Sequence, residues 1–152
     1  VNHSQIREEL EAGRSVIYVT QGISMRPLLY DKRHKKATQI RLDPLPDHSL
    51  KIGDIPIFQK KSNGQLVLHR IIHQDEQYYY TRGDNCLHGE TVAREQVFGY
   101  VTKIYRKGKW FSTDHKGYRI YVFVWLHSLW LRKPFMLLRQ QLSRLKRKIQ
   151  GQ

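Results

Sequence analysis

The stretch Leu66-Val67-Leu68-His69-Arg70-Ile71-Ile72 decides how this chain is read. It is crowded with apolar and β-branched residues. Ser62-Asn63-Gly64 precedes it as a turn and His73-Gln74-Asp75-Glu76 follows as another, which predicts a strand over 66–73 carrying one histidine. The pattern repeats outward. Strands are predicted at 55–59 and 77–81, and a long last one at 96–105, where Lys107-Gly108-Lys109 turns into Trp110-Phe111. On the N-terminal side Thr38-Gln39-Ile40-Arg41-Leu42 alternates as a half-buried strand should, and 14–20 supplies another. Asp43, Pro44, Pro46 and Asp47 mark an irregular link. The expected fold is therefore mainly β, with a compact core over 14–114. A short helix in 1–13 precedes it, with Ser4 as its cap and Gly13 as its stop.

The remaining segment, 115–152, differs in kind. The chain has 152 residues, 27 lysines and arginines, 13 aspartates and glutamates, and a net charge of +14. Every acidic residue lies at or before Asp114, and nine basic residues follow it, so the tail holds +9 of that charge. Such asymmetry points to an anionic surface as partner. Within the tail, 120–131 is apolar and aromatic but shorter than the roughly 20 residues a spanning helix needs. Beyond it Leu131, Phe135, Leu138, Leu142, Leu145 and Ile149 recur at steps of four and three, one apolar stripe on a helix whose other face is basic. That is the pattern of an amphipathic helix lying in a membrane interface. A helix packed on the β core with a solvated basic side is the competing reading. Nucleic acid is the third, disfavoured because no recognised binding module accompanies the charge.

Composition excludes other chemistry. One cysteine, Cys86, cannot form an internal disulfide, so nothing requires an oxidising compartment. His34, His48, His73, His88, His115 and His127 show no metal-ligand spacing, and no phosphate loop or dinucleotide fingerprint occurs. No metal and no cofactor is expected. Val1 to Gly13 is polar and shows no secretory signal, which leads to the expectation of a cytoplasmic, peripherally membrane-associated protein.

Three segments carry the chemistry. Gly22-Ile23-Ser24-Met25-Arg26-Pro27 places a serine in a loop straight after the 14–20 strand. The histidine strand follows, and Thr81-Arg82-Gly83-Asp84-Asn85 closes the next strand. Ile52-Gly53-Asp54-Ile55-Pro56-Ile57-Phe58 lies between serine and histidine. In this order the segments resemble the catalytic core of the signal peptidase I superfamily, in its Ser-His branch. The chemistry agrees. A serine hydroxyl needs a positioned base, and a histidine with a pKa near 6.5 is mostly neutral at pH 7 without the desolvation a lysine base requires.

The resemblance implies a compact β-barrel-like core and a serine endopeptidase that takes an extended leader or precursor peptide as substrate. Ser24 is then the nucleophile and His69 its base. The Ser24 backbone N–H forms part of the oxyanion hole, with Gly22 where many bacterial members carry a helping hydroxyl. The acid that orients the histidine is open between Asp84, in the Gly-Asp-Asn motif, and Glu90, at the place usual for this branch; Asp84 is the choice made here. Arg70 matches the family as well, but strand alternation points it away from the base and toward a structural role. Members normally carry an N-terminal membrane anchor, which Val1 to Gly13 does not resemble. Two alternatives stay open: a catalytically inactive peptide-binding module of the same fold, and a DNA- or membrane-associated regulator.

Overall fold

The computed structural model describes residues 3–35 and 37–150, with side chains placed for 4–35 and 37–147. Among them are nine strands: β1 (Val16–Val19), β2 (Gln39–Asp43), β3 (Pro56–Gln59), β4 (Leu66–Leu68), β5 (Arg70–Gln74), β6 (Tyr78–Arg82), β7 (Glu90–Ala93), β8 (Val97–Arg106) and β9 (Lys109–Ser112). Helix α1 (His3–Glu11) precedes them, and α2 (Lys116–His127) and α3 (Leu129–Gln150) follow. The protein is mainly β, with helices at both ends.

One antiparallel sheet runs β1-β2-β8-β3-β4, with β9 added to β8, and a second runs β5-β6-β7. Strand β8 is the spine. Its first half pairs with β3, and its second half with β2 and β9. The register slips at Arg41/Leu42 and at Ile57/Phe58. Irregularities of this kind bend a strand and increase its twist, and the large sheet curls into a half-barrel. Because side chains alternate across a strand, β3 sends Ile57 into one core and Phe58 into another. The first core is roofed by α1, whose Ile6 and Leu10 are one turn apart and buried. Burying a side chain of this size contributes roughly 1.5–3 kcal/mol. The helix sits close because residue 99 has no side chain: a Cβ there would lie 2.9 Å from Leu10 Cδ1 and 2.9 Å from the Asp43 carbonyl oxygen. The second core joins Phe58 and Val97 to Ile71, Tyr79 and Val92 of the small sheet.

The structure departs from the sequence reading at several points. The strand predicted over 66–73 is two strands, broken at His69: β4 pairs with β3 in the large sheet and β5 with β6 in the small one. Strand β7 was not expected; Val92 is its buried residue. Ser4 is not a cap, since α1 already includes it, whereas Gly13 does end the helix at a φ of 79°. Helix α2 docks on the first core through Tyr118 and Val122. Helix α3 continues through Pro134. Leu131, Leu138, Leu142 and Leu145 are each more than half exposed along it, while the side chain of Ile149 lies outside the described residues. Among the described residues no helix is long and apolar enough to cross a membrane.

Candidate active site

Ser24 sits in a closed loop between β1 and β2. Thr20 begins it, buried, with its hydroxyl donating to the Tyr30 carbonyl (3.1 Å) and its own carbonyl accepting from Lys32 N–H (3.1 Å). Met25, Leu28 and Leu29 point from the loop into the first core and plug it down. Gly22 has a φ of 84°, a left-handed conformation that L side chains rarely adopt. The serine is thus carried on a loop anchored at its base and by its apolar side chains.

His69 occupies the single residue between β4 and β5, where the chain leaves one sheet for the other. Neither ladder claims it, so its direction is set by the neighbours of its ring. Nδ1 lies 2.5 Å from Glu90 Oε1, and Phe58 meets the imidazole edge-on at 6.3 Å between centroids. The other Glu90 oxygen, Oε2, is 2.9 Å from Lys60 Nζ. Lysine, glutamate and histidine therefore form a line, with Nε2 at its free end. Burial pushes the imidazole below its ordinary pKa, and Lys60 adds to that, while the Glu90 and Asp84 carboxylates pull the other way. The net direction is down, which keeps the ring neutral at pH 7 and able to accept a proton.

The Gly83-Asp84-Asn85 turn joins these parts, each residue in its own way. A Cβ on Gly83 would lie 2.7 Å from the Ser24 carbonyl oxygen, 2.8 Å from Cys86 Sγ and 3.1 Å from His69 Nε2. Glycine is what lets serine loop, turn and imidazole approach so closely. Asn85 pins the serine loop: its backbone N–H donates to the Ser24 carbonyl (2.7 Å) and its amide to the Ile23 carbonyl (3.2 Å). Asp84 faces the other way. Its two oxygens accept from Arg70 Nε (2.8 Å) and Nη2 (2.7 Å) in a buried fork, and Arg70 also donates to the Gly53 carbonyl (2.8 Å) and the Tyr118 hydroxyl (3.1 Å). Burial alone would lower the Arg70 pKa, but the Asp84 fork and Tyr118 reverse this and raise it.

The choice of Asp84 as the acid that holds His69 is therefore corrected. The carboxylate on Nδ1 is Glu90, because β7 brings residue 90 alongside Thr81 and Asp84 is already held by Arg70. Arg70 is buried and structural, as expected, but its contacts with Asp84, Gly53 and Tyr118 set its direction, and the alternation argument does not apply because the strand breaks at His69. Lys60 went unread in the sequence, where nothing marks it among neighbouring lysines; only the fold brings it to Glu90.

Ser24 and His69 line one cleft of about 580 Å³, with Gly22, Asn85, Cys86 and Lys60 around them. No hydrogen bond joins Ser24 Oγ to His69 among the described residues. Catalytic hydrogen bonds are often long without substrate and tighten when it binds. The cleft wall is apolar at Tyr18, Leu29, Ile57, Leu66 and Leu68, and its charged members are Arg33 and Lys60. Burial raises the Cys86 thiol above its ordinary value, with Glu90 and Asp84 adding to this, the reverse of an activated thiolate. Among the described residues no group of three His, Cys, Asp or Glu side chains is placed to hold a metal ion. Comparison of the sequence with protein-family models and with curated proteins found no match.

Proposed function

We propose that the chain is a serine endopeptidase of the signal peptidase type, cleaving an extended leader or precursor peptide at a membrane surface. The observation that carries this reading is the lining of one cleft by Ser24 and by His69, whose Nδ1 is held by Glu90. In the proposed reaction His69 Nε2 takes the proton from Ser24 Oγ as the oxygen attacks the peptide carbonyl. The Ser24 backbone N–H stabilises the oxyanion, and Glu90 stabilises the imidazolium. His69 then passes its proton to the departing amine, and water, activated by the same ring, hydrolyses the acyl-enzyme. The half-barrel with its separate small sheet fits the compact β-barrel core of the resembled family.

The cleft fits the substrate class. Strands β1 and β4 are the two ends of the large sheet, and both border the cleft through Tyr18 and through Leu66, Val67 and Leu68. A free edge offers unpaired N–H and C=O groups, so an extended peptide laid between them gains main-chain hydrogen bonds, with side-chain pockets giving specificity. The membrane part rests on α3, where Trp130 and Phe135 are 73% and 76% exposed beside a leucine stripe and a basic flank.

The test is cleavage of a peptide library read by mass spectrometry. Wild-type protein is expected to cut extended peptides after small residues, and Ser24→Ala and His69→Ala each to lower the rate by about four orders of magnitude with the fold intact. Retained cleavage in either variant contradicts the assignment. The absence of a Ser24–His69 hydrogen bond favours a second reading, a binding module that grips peptides without cutting them. That reading predicts equal peptide affinity and no cleavage for the wild type and both variants.

A further inference from the structure

Resting on the membrane part of that reading, we propose that Arg132 and Arg139 form a binding notch for the phosphate headgroup of an anionic phospholipid in the bilayer surface. The notch, of about 310 Å³, lies where α3 crosses the serine loop and the Gly-Asp-Asn turn. Its walls include Arg26, Pro27, Asp84, Asn85, Trp125 and Phe135. That size falls within the range of roughly 300–1,000 Å³ usual for small-ligand sites.

Two arginines of α3 enter this notch, and the carboxylate in its wall, Asp84, already has both oxygens engaged by Arg70. Arg132 donates to the Ser128 hydroxyl (3.2 Å), the Asp84 carbonyl (3.3 Å) and the Trp125 carbonyl (2.6 Å), and its guanidinium lies 3.5 Å from the centre of the Trp125 ring. Arg139 donates to the Asn85 side-chain oxygen at 3.4 Å. All these acceptors are neutral, and among the described residues neither arginine has an ion-pair partner. Burial lowers the pKa of Arg132, and the Asp84 carboxylate, which pulls the other way, does not reverse it, since Arg82 and Arg70 add to the lowering. A guanidinium has five N–H groups in a planar fork, so both side chains retain donors for phosphate oxygens.

The occupant follows from the position of Phe135. It forms part of the notch wall and also stands on the exposed stripe with Leu131, Leu138 and Leu142. A molecule that places an anion against Arg132 and Arg139 therefore has a path along apolar surface leading away from it. A phospholipid has that combination of groups. Its headgroup would sit beside Asp84 and Asn85, directly behind the residue that holds Ser24 in place.

The experiment is sedimentation with vesicles of phosphatidylcholine alone and of equal parts phosphatidylcholine and phosphatidylglycerol. It compares the full chain with Arg132→Gln/Arg139→Gln, with the charge-matched Arg144→Gln/Arg147→Gln, and with Arg139→Gln alone, whose single contact makes it the safer variant for folding. The proposal predicts binding to the mixed vesicles and a loss for the notch double variant roughly tenfold larger than for the control pair, with Arg139→Gln between them. Equal losses in the two pairs would overturn the notch and leave the membrane reading standing. No binding of the wild type to the mixed vesicles would overturn both. A saturable change in tryptophan fluorescence on adding glycerol 3-phosphate without vesicles, lost in the notch variant, would reassign the site to a free phosphate. Duplex DNA bound in an Arg132- and Arg139-dependent manner, without vesicle binding, would overturn the lipid assignment. The readout is binding, so its outcome is independent of whether Ser24 cleaves peptides.

Discussion

At the scale of single residues, the account turns on the line Lys60–Glu90–His69. Glu90 fixes the tautomer that leaves Nε2 facing the cleft, and Lys60 fixes the second oxygen of Glu90. Replacing Glu90 by Gln is expected to lower kcat/KM by roughly 10²–10⁴, measured on a cleaved peptide, because the ring loses its orientation and the imidazolium its counter-charge. The pH dependence has a definite sign. His69 is pushed below its ordinary value, so the proposed base stays neutral below about pH 6.5 and cleavage is expected to fall only as pH drops through the lowered value. Lys60→Met removes an influence that lowers this pKa, so the acid limb of kcat/KM is expected to move to higher pH; Glu90→Gln removes one that raises it and moves the limb to lower pH. A pH profile of the three proteins reads both directions. Ser24 and His69 were legible in the sequence because each stands in a segment with its own pattern. Glu90 against Asp84 was not, since which carboxylate reaches the ring depends on how β6 and β7 register and on Arg70 having taken Asp84.

At the scale of elements, the decisive features are the break between β4 and β5 and the turn that follows β6. The apolar run from Leu66 to Ile72 reads as one strand because a change of pairing partner leaves no trace in composition: Leu66 and Leu68 pack on the first core, and Val67 and Ile71 on the second. The break is nonetheless what frees His69 from the ladder. The Gly-Asp-Asn turn was legible as a turn, but its three separate contacts were not. Gly83→Ala tests the closest of them. A methyl 2.7 Å from the Ser24 carbonyl oxygen collides with backbone, so the turn or the serine loop must shift. Displacements of about 1 Å cost on the order of 10²-fold in rate, and overpacking destabilises by about 1–3 kcal/mol. Cleavage is therefore expected to fall at least that far, while urea denaturation shows a protein that still folds.

At the scale of the whole molecule, Arg70 ties the two sheets to helix α2. From β5 it reaches Asp84 after β6, Gly53 before β3, and Tyr118 on α2. Removing one partner of a buried pair leaves the other charge uncompensated, so Arg70→Met is expected to destabilise by about 3–5 kcal/mol in urea denaturation, and Arg70→Met/Asp84→Leu by much less. The tail was recognised from its charge, and its exposed stripe from its spacing. That α2 belongs to the core was hidden, because in a run as apolar as 120–131 no face stands out as the one that docks. All of these arrangements converge on whether Ser24 is made reactive by His69. The most direct measurement is covalent labelling by a fluorophosphonate probe, with the modified residue mapped by mass spectrometry in the wild type, His69→Ala and Ser24→Ala. The account predicts adduct on Ser24 in the wild type, much slower labelling in His69→Ala and none in Ser24→Ala. An unlabelled Ser24 in the folded wild type, or labelling at the same rate without His69, contradicts it.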